Sequence, residues 1–301
     1  MICNHEYMEL QQLRYAVALS EERSFTRAAE RCFVVQSSLS HQIKALEREV
    51  GVDLFARTSR RVEVTAAGEA FVAAARAAVD AADRAAADAV AAAGEIRGSL
   101  AIGMIPTATR IDIPAALREF RDLHPSVSVS LRVGGSDVFL SEIASGAVDI
   151  AILGLPESTM LTGVAFRELA RERHVAVVAP DHRLARRRRL DLADLADEPA
   201  IDFPRGTPGR AQSDGAFRAA GVQRSVMYEA MSTGLTLELV RQGLGVALLP
   251  PNTIRSELGI REIQLTDGPA RVEYLAWSEF NPSPAARAFR SVLDRAAPRT
   301  V

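Results

Sequence analysis

The 301-residue chain reads as a multidomain protein: an all-α N-terminal unit of the winged helix-turn-helix type, a long linker helix, and a two-lobed α/β domain. Three observations predict this. Two short helical patterns with a tight break between them are followed at once by an alternating stretch of hairpin length. An alanine-rich run of roughly thirty residues then carries helix formers and few breakers. From Ser99 onward strands and helices alternate with short connections, the grammar of an open parallel sheet.

Leu10, Leu13 and Val17 repeat at helical spacing. Ser24 is placed to cap a helix over Phe25–Arg31, where Ala28 and Ala29 permit close approach. After a break at 32–35, a second helix is predicted over Gln36–Val50, ended by Gly51. Its apolar stripe is Leu39, Ile43, Leu46 and Val50; its other face carries Ser37, Ser40, His41, Lys44 and Arg48. Phe55 to Val64 alternates as a hairpin, with Val62 and Val64 on one side and Arg61 and Glu63 on the other. Thr65 is the N-cap expected for the alanine-rich helix, which runs to about Ile96. At about 1.5 Å per residue it is some 45 Å long, too long to bury its apolar side alone, so pairing with a second copy through Phe71, Val72, Val79, Val90 and Ile96 is expected. The domains fall at 1–64, 65–97 and 98–301.

In the α/β part, strands are predicted over 100–105, 127–133 and 148–153, with helices over 109–123 and 136–145. A second run has strands near 175–178, 200–203, 226–229 and 246–249 and helices near 209–220 and 236–242. A last strand, about 273–277, and a closing helix from Ser283 return to the first lobe. Lobe I is thus about 98–155 with 273–301, and lobe II about 156–272.

Composition narrows the function. No apolar run reaches the length of a membrane span. The polar start, with Glu6 and Glu9, is no signal peptide, and Met8 offers an alternative start. Two cysteines, Cys3 and Cys32, make neither a disulfide framework nor a zinc site. A cytoplasmic protein is expected, with no membrane partner, metal or cofactor; no glycine-rich nucleotide motif occurs. The net charge is −2, yet between Arg23 and Arg61 eight basic residues face four acidic ones, a local patch of the kind phosphates attract. The run Arg186–Arg189 is read as a solvated loop, and His124 and His174 as single histidines without metal partners.

The stretches Ser24-Phe25-Thr26-Arg27-Ala28-Ala29-Glu30-Arg31, Val34-Val35-Gln36-Ser37-Ser38-Leu39-Ser40-His41-Gln42-Ile43-Lys44-Ala45-Leu46-Glu47 and Gly51-Val52-Asp53-Leu54-Phe55-Ala56-Arg57-Thr58 resemble the DNA-binding domain of LysR-type transcriptional regulators. Leu100-Ala101-Ile102-Gly103, Gly146–Ile152 and Gly243–Pro250 resemble the effector domain of the same family, which is periplasmic-binding-protein-like. The chain departs from the family at Val35-Gln36-Ser37, where Ser-Gln-Pro is usual. The resemblance implies a cytoplasmic, sequence-specific regulator, not an enzyme, modulated by a small, polar or anionic effector. It further implies double-stranded DNA with an interrupted palindromic operator, and a homotetramer built as a dimer of dimers.

For the DNA contacts, Gln36 would pair with adenine in the major groove, Ser37, Ser38, Ser40 and His41 would contact bases or phosphates, and Lys44, further along the same face, would meet the backbone. Ser24 and Thr26 would meet phosphate, and Arg57, Arg60 and Arg61 on the wing would grip phosphates or reach the minor groove. For the effector, Pro106 and Thr107, Gly135 and Ser136, and Pro204-Arg205-Gly206-Thr207 follow strand ends where helices begin; Arg205 or Arg210 would neutralise a carboxylate. Rival readings are an enzyme or a solute-binding protein on the same two-lobed fold, which leave the N-terminal unit unexplained.

Overall fold

The structure, a computed structural model, describes residues 8–57, 62–92, 94–251, 253, 259–280 and 282–296. It divides into two compact units, Met1–Gly94 and Glu95–Val301. No helix among the described residues is long and apolar enough to cross a membrane.

In the first unit, α1 (Leu10–Glu22), α2 (Phe25–Arg31) and α3 (Gln36–Val50) enclose a core with the hairpin β1 (Phe55–Arg57) and β2 (Val62–Val64) and with α4 (Ala66–Ala92). The Ser24 hydroxyl accepts from the Arg27 amide and starts α2. Leu39, Ile43 and Leu46 are wholly buried, each contributing about 1.5–3 kcal/mol relative to exposure; Val50, at the end of the expected stripe, is exposed. Gly51 ends α3 at φ +82°. One carboxylate oxygen of Glu47 accepts from the amides of Leu54 and Phe55, both at 3.0 Å, which ties α3 to the root of the hairpin. Thr65 then caps α4 through the Gly68 amide. A Cβ at Gly68 would lie 2.1 Å from the Leu54 carbonyl oxygen, so only glycine lets α4 approach the hairpin this closely.

Two of the residues expected to pair α4 with another copy have other work within this unit: Val72 is in its core and Phe71 packs against it. A third, Ile96, lies past the end of α4 in the second unit and packs against that unit's own core. Ion pairs of Glu21 with Arg76 and Arg31 fasten α4 and α2 to α1.

Phe33 stands between α2 and α3 at φ +56° and is 94% exposed. A left-handed conformation costs an L-residue roughly 1–2 kcal/mol, less for asparagine. Phe33→Asn is therefore expected to raise stability by about 1 kcal/mol in urea titration. A loss would show that the ring makes a contact that stabilises the fold.

In the second unit, lobe I is a five-stranded sheet in the order β4-β3-β5-β13-β6. Its elements are β3 (Gly98–Met104), α5 (Ile113–Leu123), β4 (Val127–Val133), α6 (Ser136–Ala144), β5 (Ile150–Pro156), β6 (Ala165–Arg173), β13 (Ala270–Trp277) and α9 (Pro284–Ala296). Helices α5 and α9 cover one face around Phe120 and Phe289, and α6 covers the other through Phe139 and Ile143. Strands β3, β4 and β5 are parallel as expected, but β13 runs antiparallel to both β5 and β6, so the sheet is mixed. Lobe I also reaches beyond residue 155. Strand β6 pairs with β13 along its whole length, so the chain crosses between lobes at His174 and Pro269 rather than near 156 and 272.

Lobe II holds β7 (Val175–Val178), β8 (Arg189–Leu190), β9 (Pro199–Asp202), α7 (Pro208–Ala219), β10 (Ser225–Glu229), α8 (Thr233–Arg241), β11 (Val246–Leu249) and β12 (Arg261–Leu265). Its sheet runs β10-β9-β11-β7-β12-β8. The two crossings lie side by side, the His174 amide donating to the Pro269 carbonyl at 2.9 Å. Two further bonds brace the lobes: Gln212 Nε2 donates to the Ala270 carbonyl at 2.6 Å and Thr233 Oγ1 to the Pro106 carbonyl at 3.0 Å.

Candidate functional site

Two regions collect the residues singled out from the sequence. On α3, Gln36, Ser37, Ser38, His41 and Lys44 are exposed and Ser40 is half-buried. The burial of Leu39, Ile43 and Leu46 on the opposite side fixes which face this is. Val35 caps α3 with its backbone alone, so the helix start keeps first-turn amides available to an anion. Thr26 is exposed, and Ser24 is occupied in capping α2. The basic patch is smaller than counted from the sequence, because Arg27 pairs with Glu22 and Arg31 with Glu21 and Glu22. Arg57 lies in β1, but its side chain, like all of Arg60 and Arg61, falls outside the described residues.

The second region is a cleft between the lobes with about 490 Å³ of space, its open mouth included. Of the expected effector residues, Pro106, Thr107, Gly135, Ser136 and Thr207 line it. Helices α6 and α7 both begin there, at Gly135 and Thr207. The Ser136 hydroxyl is already used, donating to the Gly154 carbonyl at 3.1 Å and accepting from its amide at 3.0 Å. Thr107 Oγ1 accepts from Arg271 at 2.6 Å.

Pro204, Arg205, Gly206 and Arg210 are not among the residues that line the cleft. Arg205 and Gly206 are exposed on the turn before α7, and Pro204 serves that turn by accepting from Thr207. Arg210 is buried and turned the other way. It donates to Asp214 at 3.0 Å, to Glu229 at 2.9 Å and to the Phe203 carbonyl at 3.3 Å. Its Nε and Nη1 are thus held by groups of its own lobe.

The sequence reading missed His174, Gln212, Met231 and Arg271, all of which line the cleft. Arg271 is buried with Glu172 and Glu273. It donates to Glu172 at 2.8 Å and to Glu273 at 3.2 Å, while Arg110 holds the other oxygen of Glu172 at 2.8 Å. Burial pushes the Glu273 carboxyl up, against the pull of Arg271. His174 is 5% exposed, and among the described residues neither ring nitrogen has a hydrogen-bond partner. Burial, with the charge of Arg271, lowers its pKa to about 3. A signal for Arg271 and Glu273 existed: two charges in an otherwise apolar strand, Ala270–Trp277. For His174 there was none. No cluster among the described residues could hold a metal ion.

Comparisons with known proteins agree over nearly the whole chain. Residues 10–69 match the model of the bacterial regulatory helix-turn-helix protein, lysR family. Residues 93–298 match the LysR substrate binding domain. The HTH-type transcriptional regulator AlsR of Bacillus subtilis is 34% identical over 245 residues, covering 81% of this chain and 80% of that protein. The DNA-binding transcriptional dual regulator OxyR of Escherichia coli is 33% identical over 252 residues, covering 83% and 81%. Among solved structures, a full-length OxyR variant from Pseudomonas aeruginosa matches with a TM-score of 0.72 at 26% identity, over 99% of this chain and all of that one. CbnR bound to its target DNA matches with a TM-score of 0.62 at 26% identity, over 96% of this chain and all of that one.

Proposed function

The chain belongs to the LysR family, a DNA-binding transcriptional regulator with an effector-binding domain and not an enzyme, and from this we propose which residues read DNA and where the effector binds. Gln36, Ser37, Ser38, Ser40 and His41 enter the major groove, with Lys44, Thr26 and Ser24 toward phosphate and the wing arginines Arg57, Arg60 and Arg61 on the phosphates or in the minor groove. The observation that carries this is the polar face of α3, exposed at a helix start that no side chain caps. Phe33 and Val35, exposed beside it, suit thymine methyl groups. The protein works in the cytoplasm, where its DNA is.

Gln36 and Lys44 separate base reading from phosphate contact. Gln36→Ala is expected to lose about 1–3 kcal/mol and to relax preference at one position per half-site. Lys44→Ala should weaken all sequences alike and lower the salt slope by roughly one unit. Binding to an operator library at several salt concentrations measures both; an unchanged sequence profile in Gln36→Ala would reassign that residue to the backbone.

The effector occupies the cleft lined by Thr107, Gly135, Ser136 and Thr207. Assembly is a dimer of dimers on an interrupted palindrome. Helix α4 supplies one pairing surface. The edge strand β4 supplies the other, since Val129, Leu131 and Val133 stand exposed along it and an uncovered apolar edge invites a second copy. Leu131→Glu is expected to halve the mass in light scattering while leaving DNA-binding dimers. A tetramer that persists would move the interface elsewhere.

A further inference from the structure

We propose that His174 contacts the effector, and that the effector is a small uncharged molecule whose hydroxyl or amide hydrogen-bonds the neutral imidazole, rather than a carboxylate; this rests on the cleft reading above. The histidine lines the cleft, is nearly wholly buried, and has neither nitrogen paired among the described residues. An unpaired buried polar group is costly, and a ligand that supplies the missing partner recovers that cost. The ring is uncharged, because burial beside Arg271 disfavours its protonated form. A neutral imidazole offers one donor and one acceptor, which suits a hydroxyl or amide better than a group that only accepts.

The charges around the cleft argue against an anion. Arg271 is the one cation among the described lining residues, and Nε, Nη1 and Nη2 all donate to protein acceptors: Glu172, Thr107 and Glu273. Arg205 and Arg210 lie outside the lining. Glu172 and Glu273 are close by, and Asp137 already sits in the first turn of α6. A carboxylate entering here would find the one lining guanidinium already held by Glu172 and Glu273, and burying a charge without a partner costs far more than burying a neutral polar group. The helix starts of α6 and α7 still favour an electronegative oxygen, which a carbonyl supplies. Ile105, Phe203, Pro208 and Met231 give the remaining walls an apolar character, so a compact carbon skeleton fits.

Lactamide and lactate share a skeleton and differ in charge, which makes them the probes. Calorimetry on the full-length protein is expected to show lactamide binding about tenfold tighter than lactate, with the His174 ring nitrogens shifting in ¹⁵N spectra. His174→Leu should lose about tenfold in lactamide affinity, and His174→Gln, which keeps a donor and an acceptor, should retain most of it. Lactate binding as tightly as lactamide would overturn the charge assignment, as would failure of both to bind. Undiminished lactamide affinity in His174→Leu would remove the histidine from the site. Met231→Trp, which fills the mouth from an exposed position, tests the cleft separately: lactamide binding that survives it lies outside the cleft and overturns that reading.

Discussion

Arg271→Leu is expected to destabilise the effector domain by about 3–5 kcal/mol. The guanidinium is buried with side-chain exposure of 4%, against 3% for Glu172 and 0% for Glu273. Removing it leaves Glu172 with Arg110 and leaves Glu273 without a cationic partner, held by the backbone amides of Arg110, at 3.4 Å, and Thr109. It also removes the donor to Thr107. Two carboxylates then share a low-dielectric site, and the cheaper outcome is protonation of Glu273, which burial already favours. The loss should therefore shrink on acidification, and Arg271→Leu combined with Glu273→Gln should recover part of it. Urea titration of the full-length variants measures this; a loss below about 1 kcal/mol would mean that the cluster behaves as a solvated surface pair.

The second large effect is acid sensitivity carried by His174. Its pKa falls from 6.5 to about 3 on folding. Above pH 6.5 the ring is neutral in both states and costs nothing. As the pH falls through the window between those values, the unfolded chain takes up a proton that the folded chain refuses. Stability is then lost by about 1.4 kcal/mol per pH unit, reaching roughly 5 kcal/mol at the bottom of the window. The groups facing the ring bear the same way, since the Arg271 charge opposes protonation. His174→Leu removes this dependence, so the difference between wild-type and variant unfolding free energies should grow steadily as pH is lowered. A constant difference across the window would mean that the histidine protonates normally in the folded protein.

The helices of the first unit were readable because their determinants are local. Leu39, Ile43 and Leu46 recur at helical spacing, Ser24 and Gly51 mark ends, and Thr65 begins α4, all within a few residues of the structure they specify. Strand β6 was not readable. Its sequence, Ala165-Phe166-Arg167-Glu168-Leu169-Ala170-Arg171-Glu172-Arg173, is dense in charge, and what makes it a strand is β13, about a hundred residues away. The cleft divides the same way. Thr107, Gly135, Ser136 and Thr207 follow from the rule that ligands gather where strands end and helices start. Arg210 obeys that rule by position, yet its side chain is claimed by Glu229 across the sheet edge. Arg271 and His174 were missed because their importance comes from neighbours brought in by the double crossing between lobes.

That double crossing has a mechanical consequence. A single strap would let the lobes swivel and slide; two adjacent straps, bonded at His174 and Pro269, resist torsion and shear and leave chiefly one rotational degree of freedom. Occupancy of the cleft is thereby converted into a single angle, and the sensor acts as a transducer whose output is a scalar rather than a change of shape in many directions.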